Sequence, residues 1–207
     1  MTGLILKDLF NLSRYVKIYP LFFAFYAVIS LSMDDGLSFI FFSMMMVFVM
    51  LSLTSFACDE AAKWNIYACS LPISRGQIVL SKYILACLLV VVSTIFATLV
   101  QFIVLFLQKE FYTMEMLQLI PTFVGVALMF ISILFPVIYK FGVEKSRYIM
   151  MIIFLTPTLL IMLAVNLKIA IPYAMIEILL QYVFVIGIAM IVGSYAISKK
   201  LVSSLEL

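Results

Sequence analysis

The sequence predicts an all-α polytopic membrane protein, with six transmembrane helices behind an N-terminal amphipathic interfacial helix and both ends in the cytosol. Three observations predict it. Of 207 residues, 67% are hydrophobic and 11% charged, against roughly 45–50% and about 25% in a soluble domain. The apolar residues fall in runs close to the ~20 that a spanning helix needs. The cations collect in alternate gaps between those runs. Such a chain reads as one transmembrane domain over residues 1–207, with little left for a soluble unit.

Residues 4–19 read as an interfacial helix. Ile5, Leu9, Leu12, Val16 and Tyr19 recur at spacings of four and three, with Lys7, Asn11 and Arg14 on the opposite side. That pattern is one apolar helical face, suited to lying in the headgroup plane with its cations beside anionic lipid. Pro20 is expected to turn the chain into the bilayer. Charges threaded through this segment argue against a cleavable signal. The spans expected next are 18–33, 37–57, 83–107, 119–139, 148–166 and 173–197. Asp34-Asp35-Gly36 supplies a tight hairpin between the first two, and a short loop over 167–172 precedes the last. Pro136 and Pro157 should bend their helices. Ser93/Ala97 and Ala189/Gly193 place small residues at the spacing that allows close helix approach. The aromatics Phe22, Phe23, Phe25 and Tyr26 of the first span are expected to meet lipid.

Charge sets the orientation. Lys7, Arg14, Lys17, Lys63, Arg75, Lys82, Lys140, Lys145, Arg147, Lys199 and Lys200 fall in one set of connecting segments, and only Lys109 and Lys168 in the other. Cations are retained on the cytosolic side, so eleven of the thirteen cations put both termini inside.

Several chemistries have no residues to carry them. Histidine is absent, and Cys58, Cys69 and Cys87 have no metal-ligand spacing, so the cysteines read as small apolar fillers. Gly142-Val143-Glu144-Lys145-Ser146 lacks the second glycine and the GK[ST] ending of a phosphate loop. It reads as a cytosolic turn. There is no Gly-x-Ser-x-Gly elbow and no basic nucleic-acid patch. The chain is expected to bind no cofactor of its own and to catalyse nothing. Any uphill movement draws on a partner or an ion gradient.

The segment between the second and third expected spans carries most of the information. Asp59 stands four residues before Lys63, the favourable order for a helical ion pair. Trp64 and Tyr67 suit a membrane–water border. Leu71-Pro72-Ile73 breaks the helix, and Ser74 to Gln77 fit a capping box. The expected path is helix, sharp break, new helix at the cytosolic surface: a docking knob for a soluble partner, or an interfacial turn joining two spans.

The run Asp59-Glu60-x-x-Lys63-Trp64-x-x-Tyr67-x-x-Ser70-Leu71-Pro72-Ile73-Ser74-Arg75, followed by Ile78 to Tyr83, resembles the permeases of bacterial ABC-2-type transporters. The opening Gly3-Leu4-Ile5-Leu6-Lys7-Asp8-Leu9 is similar to the start of the same small permeases. The likeness is greatest to those serving exporters of phenol-soluble modulins or antimicrobial peptides. The resemblance implies a type V exporter-like permease in the bacterial plasma membrane. It implies a second permease subunit, identical or a paralogue, and two copies of a cytosolic ATPase that holds ATP and magnesium. It makes 4–19 the elbow helix and 58–75 the coupling segment, with Asp59, Glu60, Lys63, Trp64, Tyr67, Ser70, Leu71, Pro72, Ser74 and Arg75 facing the ATPase. The substrate class it implies is an amphipathic peptide or lipophilic drug. A pump that clears bacteriocins or antibiotics is a close rival, and a non-transporting membrane scaffold is a rival of another class.

Tyr173, Glu177 and Gln181, spaced by four, form a polar stripe on the last span. An ionisable group inside a span is costly and commonly faces a cavity or partner, so the stripe reads either as the exit of a translocation path or as side chains reaching the outer headgroups. Gln101 is a weaker candidate for the same path. Thr98 is one as well, with the alternative that its hydroxyl bonds its own helix.

Overall fold

The computed structural model describes residues 2–30, 36–69, 73–108, 114–167 and 173–204. Among them all regular structure is helical: α1 (Thr2–Val16), α2 (Tyr19–Ser30), α3 (Gly36–Ala61), α4 (Trp64–Cys69), α5 (Arg75–Gln108), α6 (Met114–Asn166) and α7 (Tyr173–Ser204). Four stretches are long and apolar enough to cross a membrane, within α3, α5, α6 and α7, and five if α1 and α2 together make one bent span. The protein is therefore a multi-pass, all-helical membrane protein.

Several expected boundaries shift for physical reasons. The interfacial helix ends at Val16, and Pro20 stands in the first turn of α2 instead of at a turn into it. A proline there lacks only an amide that has no helical partner anyway. At 12 residues, α2 is about 18 Å long, short of the ~30 Å hydrocarbon core. It meets α1 at 62°. The hairpin residues Asp34 and Asp35 lie outside the described residues, as does most of 167–172. The expected spans 119–139 and 148–166 both fall in α6, whose 53 residues contain one non-helical position, Gly142 (φ 79°, ψ 172°). Only glycine takes that left-handed φ without steric penalty, so Gly142 divides α6 into two helices without a loop. Pro136 and Pro157 stay inside helical backbone.

The helices pack around three apolar clusters. The largest joins α3, α5 and α6 through Val49, Phe56, Tyr83, Ile131, Phe135 and Met150. Aromatic rings meet edge to face there: Phe56 and Phe135 at 4.9 Å, Tyr83 and Phe135 at 4.8 Å, Phe56 and Tyr139 at 5.4 Å. A second cluster seats Leu12 of α1 on Phe48, Leu51, Leu85 and Leu89. The apolar face of α1 thus packs on α3 and α5, whereas Leu6 and Phe10 on its other side are exposed. The first-span aromatics divide likewise. Phe22 and Phe25 are exposed, while Phe23 lies between Phe48 and Phe96 at 6.1 and 5.6 Å.

Close approach occurs where two glycines face each other. A Cβ on Gly125 would lie 2.6 Å from the Phe184 nitrogen, and one on Gly187 would lie 2.8 Å from the Gly125 carbonyl oxygen. Backbones of α6 and α7 therefore touch at this crossing, as small residues permit in lipid. The expected pair Ala189/Gly193 is exposed, with nothing within 4 Å of a Cβ at Gly193. Ser93 and Ala97 are fully buried. Deeper still, the Tyr83 hydroxyl shares hydrogen bonds with Ser194 (2.6 Å) and Ser198 (2.9 Å), and the Ser194 hydroxyl donates to the Ser132 carbonyl (2.6 Å). This chain pins α5, α6 and α7 together. Buried hydroxyls in an apolar medium require such partners.

Candidate functional site

Four charged side chains meet where α1, the end of α3 and the start of α5 converge. Lys82 Nζ lies 2.9 Å from Asp8 Oδ2, 2.6 Å from Asp59 Oδ2 and 2.7 Å from Ser55 Oγ. Lys7 Nζ lies 2.5 Å from Asp59 Oδ1 and 3.1 Å from Asp8 Oδ1, the latter an ion contact without hydrogen-bond alignment. The side chains of Lys82, Asp8 and Asp59 are only 5%, 2% and 10% exposed. Two cations and two carboxylates leave the junction neutral, the condition under which buried charge is tolerated. The helical period explains Asp8. It lies midway between Leu4 and Leu12, four residues from each, so it shares their buried face.

The knob hangs from this junction. At the end of α3 the Lys63 amide donates to the Glu60 carbonyl (3.1 Å), and Lys63 has φ 48°, a left-handed residue of the kind that closes helices. The chain then restarts as α4. Lys7 Nζ stands 4.1 Å over the Trp64 ring, a cation–π contact, so one ammonium serves both Asp59 and the knob. Trp64 packs 5.3 Å from Tyr67, whose side chain projects with 58% exposure. The helical pair expected between Asp59 and Lys63 is replaced: Lys7 and Lys82 take Asp59, and Lys63 is exposed at the turn.

Ser70, Leu71 and Pro72 lie outside the described residues. The capping box beyond them is formed. The Gln77 amide donates to Ser74 Oγ (3.3 Å), and the Ser74 amide donates to Gln77 Oε1 (3.1 Å). Arg75 Nη1 donates to the carbonyls of Val202 and Ser203, both at 3.3 Å, placing a cation at the C-terminal, electronegative end of α7. Glu60 Oε2 accepts from the Val143 amide at 3.0 Å, at the N-terminus of the helix that restarts after Gly142. Its own carboxylate thus occupies the one helix start that superficially resembled a phosphate loop. Through these bonds α1, α3, α4, α5, the middle of α6 and the end of α7 all meet at one end of the molecule.

Of the second group of sequence candidates, Gln181 and Gln101 have described side chains. Tyr173, Glu177 and Gln181 follow one another along α7. Gln181 is exposed, while the side chains of Tyr173 and Glu177 fall outside the described residues. Gln101 is fully buried in α5 between the levels of Ala97 and Val104. Thr98 Oγ1 donates to the carbonyls of Thr94 and Ile95 on its own helix.

Sequence reasoning missed Asp8 and Lys82 as members of a site and placed Lys7 among the cations beside anionic lipid. The available signals were an aspartate interrupting the apolar face of residues 4–12 and a lysine inside the apolar run Ile78 to Leu85. Neither names its partner.

No curated protein matches the chain, and no solved structure does. The family model for ABC-2 family transporter proteins matches residues 3–203, a stretch that takes in α1, the charged junction, the knob and nearly all of α7. By that match the chain belongs to the ABC-2 family of transporter permeases.

Proposed function

We propose that this chain is the permease subunit of an ATP-driven exporter in the bacterial plasma membrane. It pairs with a second permease, identical or paralogous, and with two copies of a separate ABC ATPase that binds ATP and magnesium. It moves amphipathic peptides or lipophilic compounds outward by alternating access. The observation that carries this reading is the knob. An aromatic projects from α4, and its base is fixed by Lys7 to a buried junction of three helices. A push on Tyr67 therefore reaches α1, α3 and α5 through paired charges.

Six spans and cytosolic termini are supported by where the chain's contacts fall. Arg75 to Val202, Glu60 to Val143 and Lys82 to Asp8 gather the N-terminus, both inner connections and the C-terminal helix end on one side. These are the segments that hold eleven of the thirteen cations. A straight helix of 53 residues would measure about 80 Å, over twice the hydrocarbon thickness, so α6 fits two crossings joined at Gly142. The walls within the membrane are apolar, which favours an amphipathic cargo. Glu177, Gln181, Tyr173 and Gln101 are the polar groups assigned to its path.

The test is co-purification with the cognate ATPase, with ATP hydrolysis followed on the reconstituted complex. Tyr67→Ala is the informative variant, since Tyr67 is the most exposed aromatic of the knob, and its melting temperature is compared with wild type because Tyr67 also packs on Trp64. Truncating an interface anchor commonly costs 2 kcal/mol or more, about thirtyfold in affinity. Retained ATPase binding and unchanged hydrolysis in Tyr67→Ala would remove the knob from the coupling path. No association of the wild-type chain would favour the scaffold reading.

A further inference from the structure

A groove of about 830 Å³ opens beside the junction, between α1, the C-terminal half of α3 and the part of α6 beyond Gly142. Its floor is apolar, with Met50, Met150 and Leu155, and its polar side chains include those of Tyr15, Cys58 and Arg147. A second groove of about 250 Å³ continues from it, sharing Tyr15 and Met50. Methionine walls adapt to irregular apolar shapes. Arg147 is exposed, and among the described residues no carboxylate forms an ion pair with it. The nearby carboxylate of Glu60 is engaged by the Val143 amide. The groove therefore combines a long apolar trough with one uncompensated guanidinium, the group best shaped to grip a phosphate.

The geometry points to a binding site for an anionic phospholipid of the cytosolic leaflet. Its phosphate rests on Arg147 and the Tyr15 hydroxyl, and an acyl chain runs along the methionines. Basic pockets between spans on the cytosolic side suit such headgroups. Charge and place argue for the occupant: one exposed guanidinium stands beside an apolar trough that lies along spanning helices, as a headgroup site stands beside the path of its acyl chain. The cytosolic leaflet follows from the orientation proposed above, whereas the site itself needs no ATPase.

The molecule carries its own control. A separate groove of about 500 Å³ between α5 and α7 is lined by Tyr83, Cys87 and Tyr195 among apolar side chains, with no charged residue. Cys58 thus reports on one groove and Cys87 on the other. Full-length chains keeping only one of these cysteines, the others changed to serine, are placed in nanodiscs of phosphatidylcholine with or without phosphatidylglycerol. Modification by a membrane-permeant maleimide is timed, and retained lipid is counted by native mass spectrometry. At a lipid level ten times the dissociation constant, phosphatidylglycerol should slow Cys58 about tenfold and leave Cys87 unchanged. Arg147→Gln should abolish the protection, and Arg147→Lys should keep part of it, with an unaltered Cys87 rate reporting an intact fold.

Protection by phosphatidylcholine alone, or protection that survives Arg147→Gln, would overturn the anion site. So would no protection, or protection that rises with the number of chains per disc, which would mean a second copy covers the groove. Lys145→Cys labelled by an impermeant reagent from outside the cell would overturn the leaflet and the orientation together, even with Cys58 protected. Failure to bind an ATPase leaves every lipid outcome unaffected, so the two readings fail separately.

Discussion

Removing the Lys82 charge tests whether the buried junction holds α1 in place. Lys82→Met keeps the length and apolar stem of the side chain but takes away the ammonium that bonds Asp8, Asp59 and Ser55. Asp8 and Asp59, at 2% and 10% side-chain exposure, are then left with Lys7 alone. One negative charge is buried without compensation. Breaking a buried pair from one side costs about 3–5 kcal/mol. For a chain of 207 residues each kcal/mol shifts Tm by about 2–4 °C, so the expected drop is about 6–20 °C. The decisive comparison is Asp8→Asn/Lys82→Met. It restores neutrality, with Lys7 on Asp59, and should recover much of the loss, giving a coupling of about 0.5–3 kcal/mol. The assay is thermal unfolding in lipid nanodiscs, with limited proteolysis of α1 as a local readout. A Lys82→Met shift below about 2 °C, or a double variant as unstable as the sum of the singles, would refute the reasoning.

Three further outcomes follow from local geometry. Gly125→Ala puts a Cβ 2.6 Å from the Phe184 nitrogen and should lower stability by about 1–3 kcal/mol, whereas Gly193→Ala meets nothing within 4 Å and should be neutral. The paired melting curves check both. Gly142→Ala must hold φ 79° with ψ 172°, a region kept almost wholly to glycine, and should cost about 1–3 kcal/mol, read as faster hydrogen exchange in the turn after residue 142. Ser74→Ala removes one of two acceptors of the Gln77 amide, leaving the Ser74 carbonyl at 2.9 Å, and should cost about 0.5–1 kcal/mol, confined to faster exchange at the start of α5.

Much of this architecture was legible because membrane solvation leaves strong marks. Apolar runs marked α3, α5 and α7, and the Ser74–Gln77 spacing announced the start of α5. The division inside α6 was legible as a change from apolar to charged residues, but its form was not. A single glycine at positive φ does the work expected of an eight-residue turn, and only the backbone shows that. The face of α1 was read correctly, yet its environment was not, since Leu12 looks the same whether it meets lipid or Leu85. Asp8, Asp59 and Lys82 were the hardest. Their partners lie 23 to 74 residues apart in sequence, and no local period encodes a pairing over that distance. Lys82 also conformed to the cytosolic cation pattern, so a topological reading already accounted for it.

The junction has a consequence for how the protein is made. Lys7 and Asp8 are synthesised before Lys82, so the ion pair between Asp8 and Lys82 must wait for α5. Translation at about 5–20 residues per second separates the two by roughly 4–15 s. Until then Asp8 has only Lys7 as a counter-charge, and α1 is stapled into place only as α5 arrives. Assembly at this corner is thus reversed relative to synthesis. A nascent chain arrested before Lys82 would leave Asp8 and Asp59 with Lys7 alone, one cation short, a charge defect by which unfinished copies differ from finished ones.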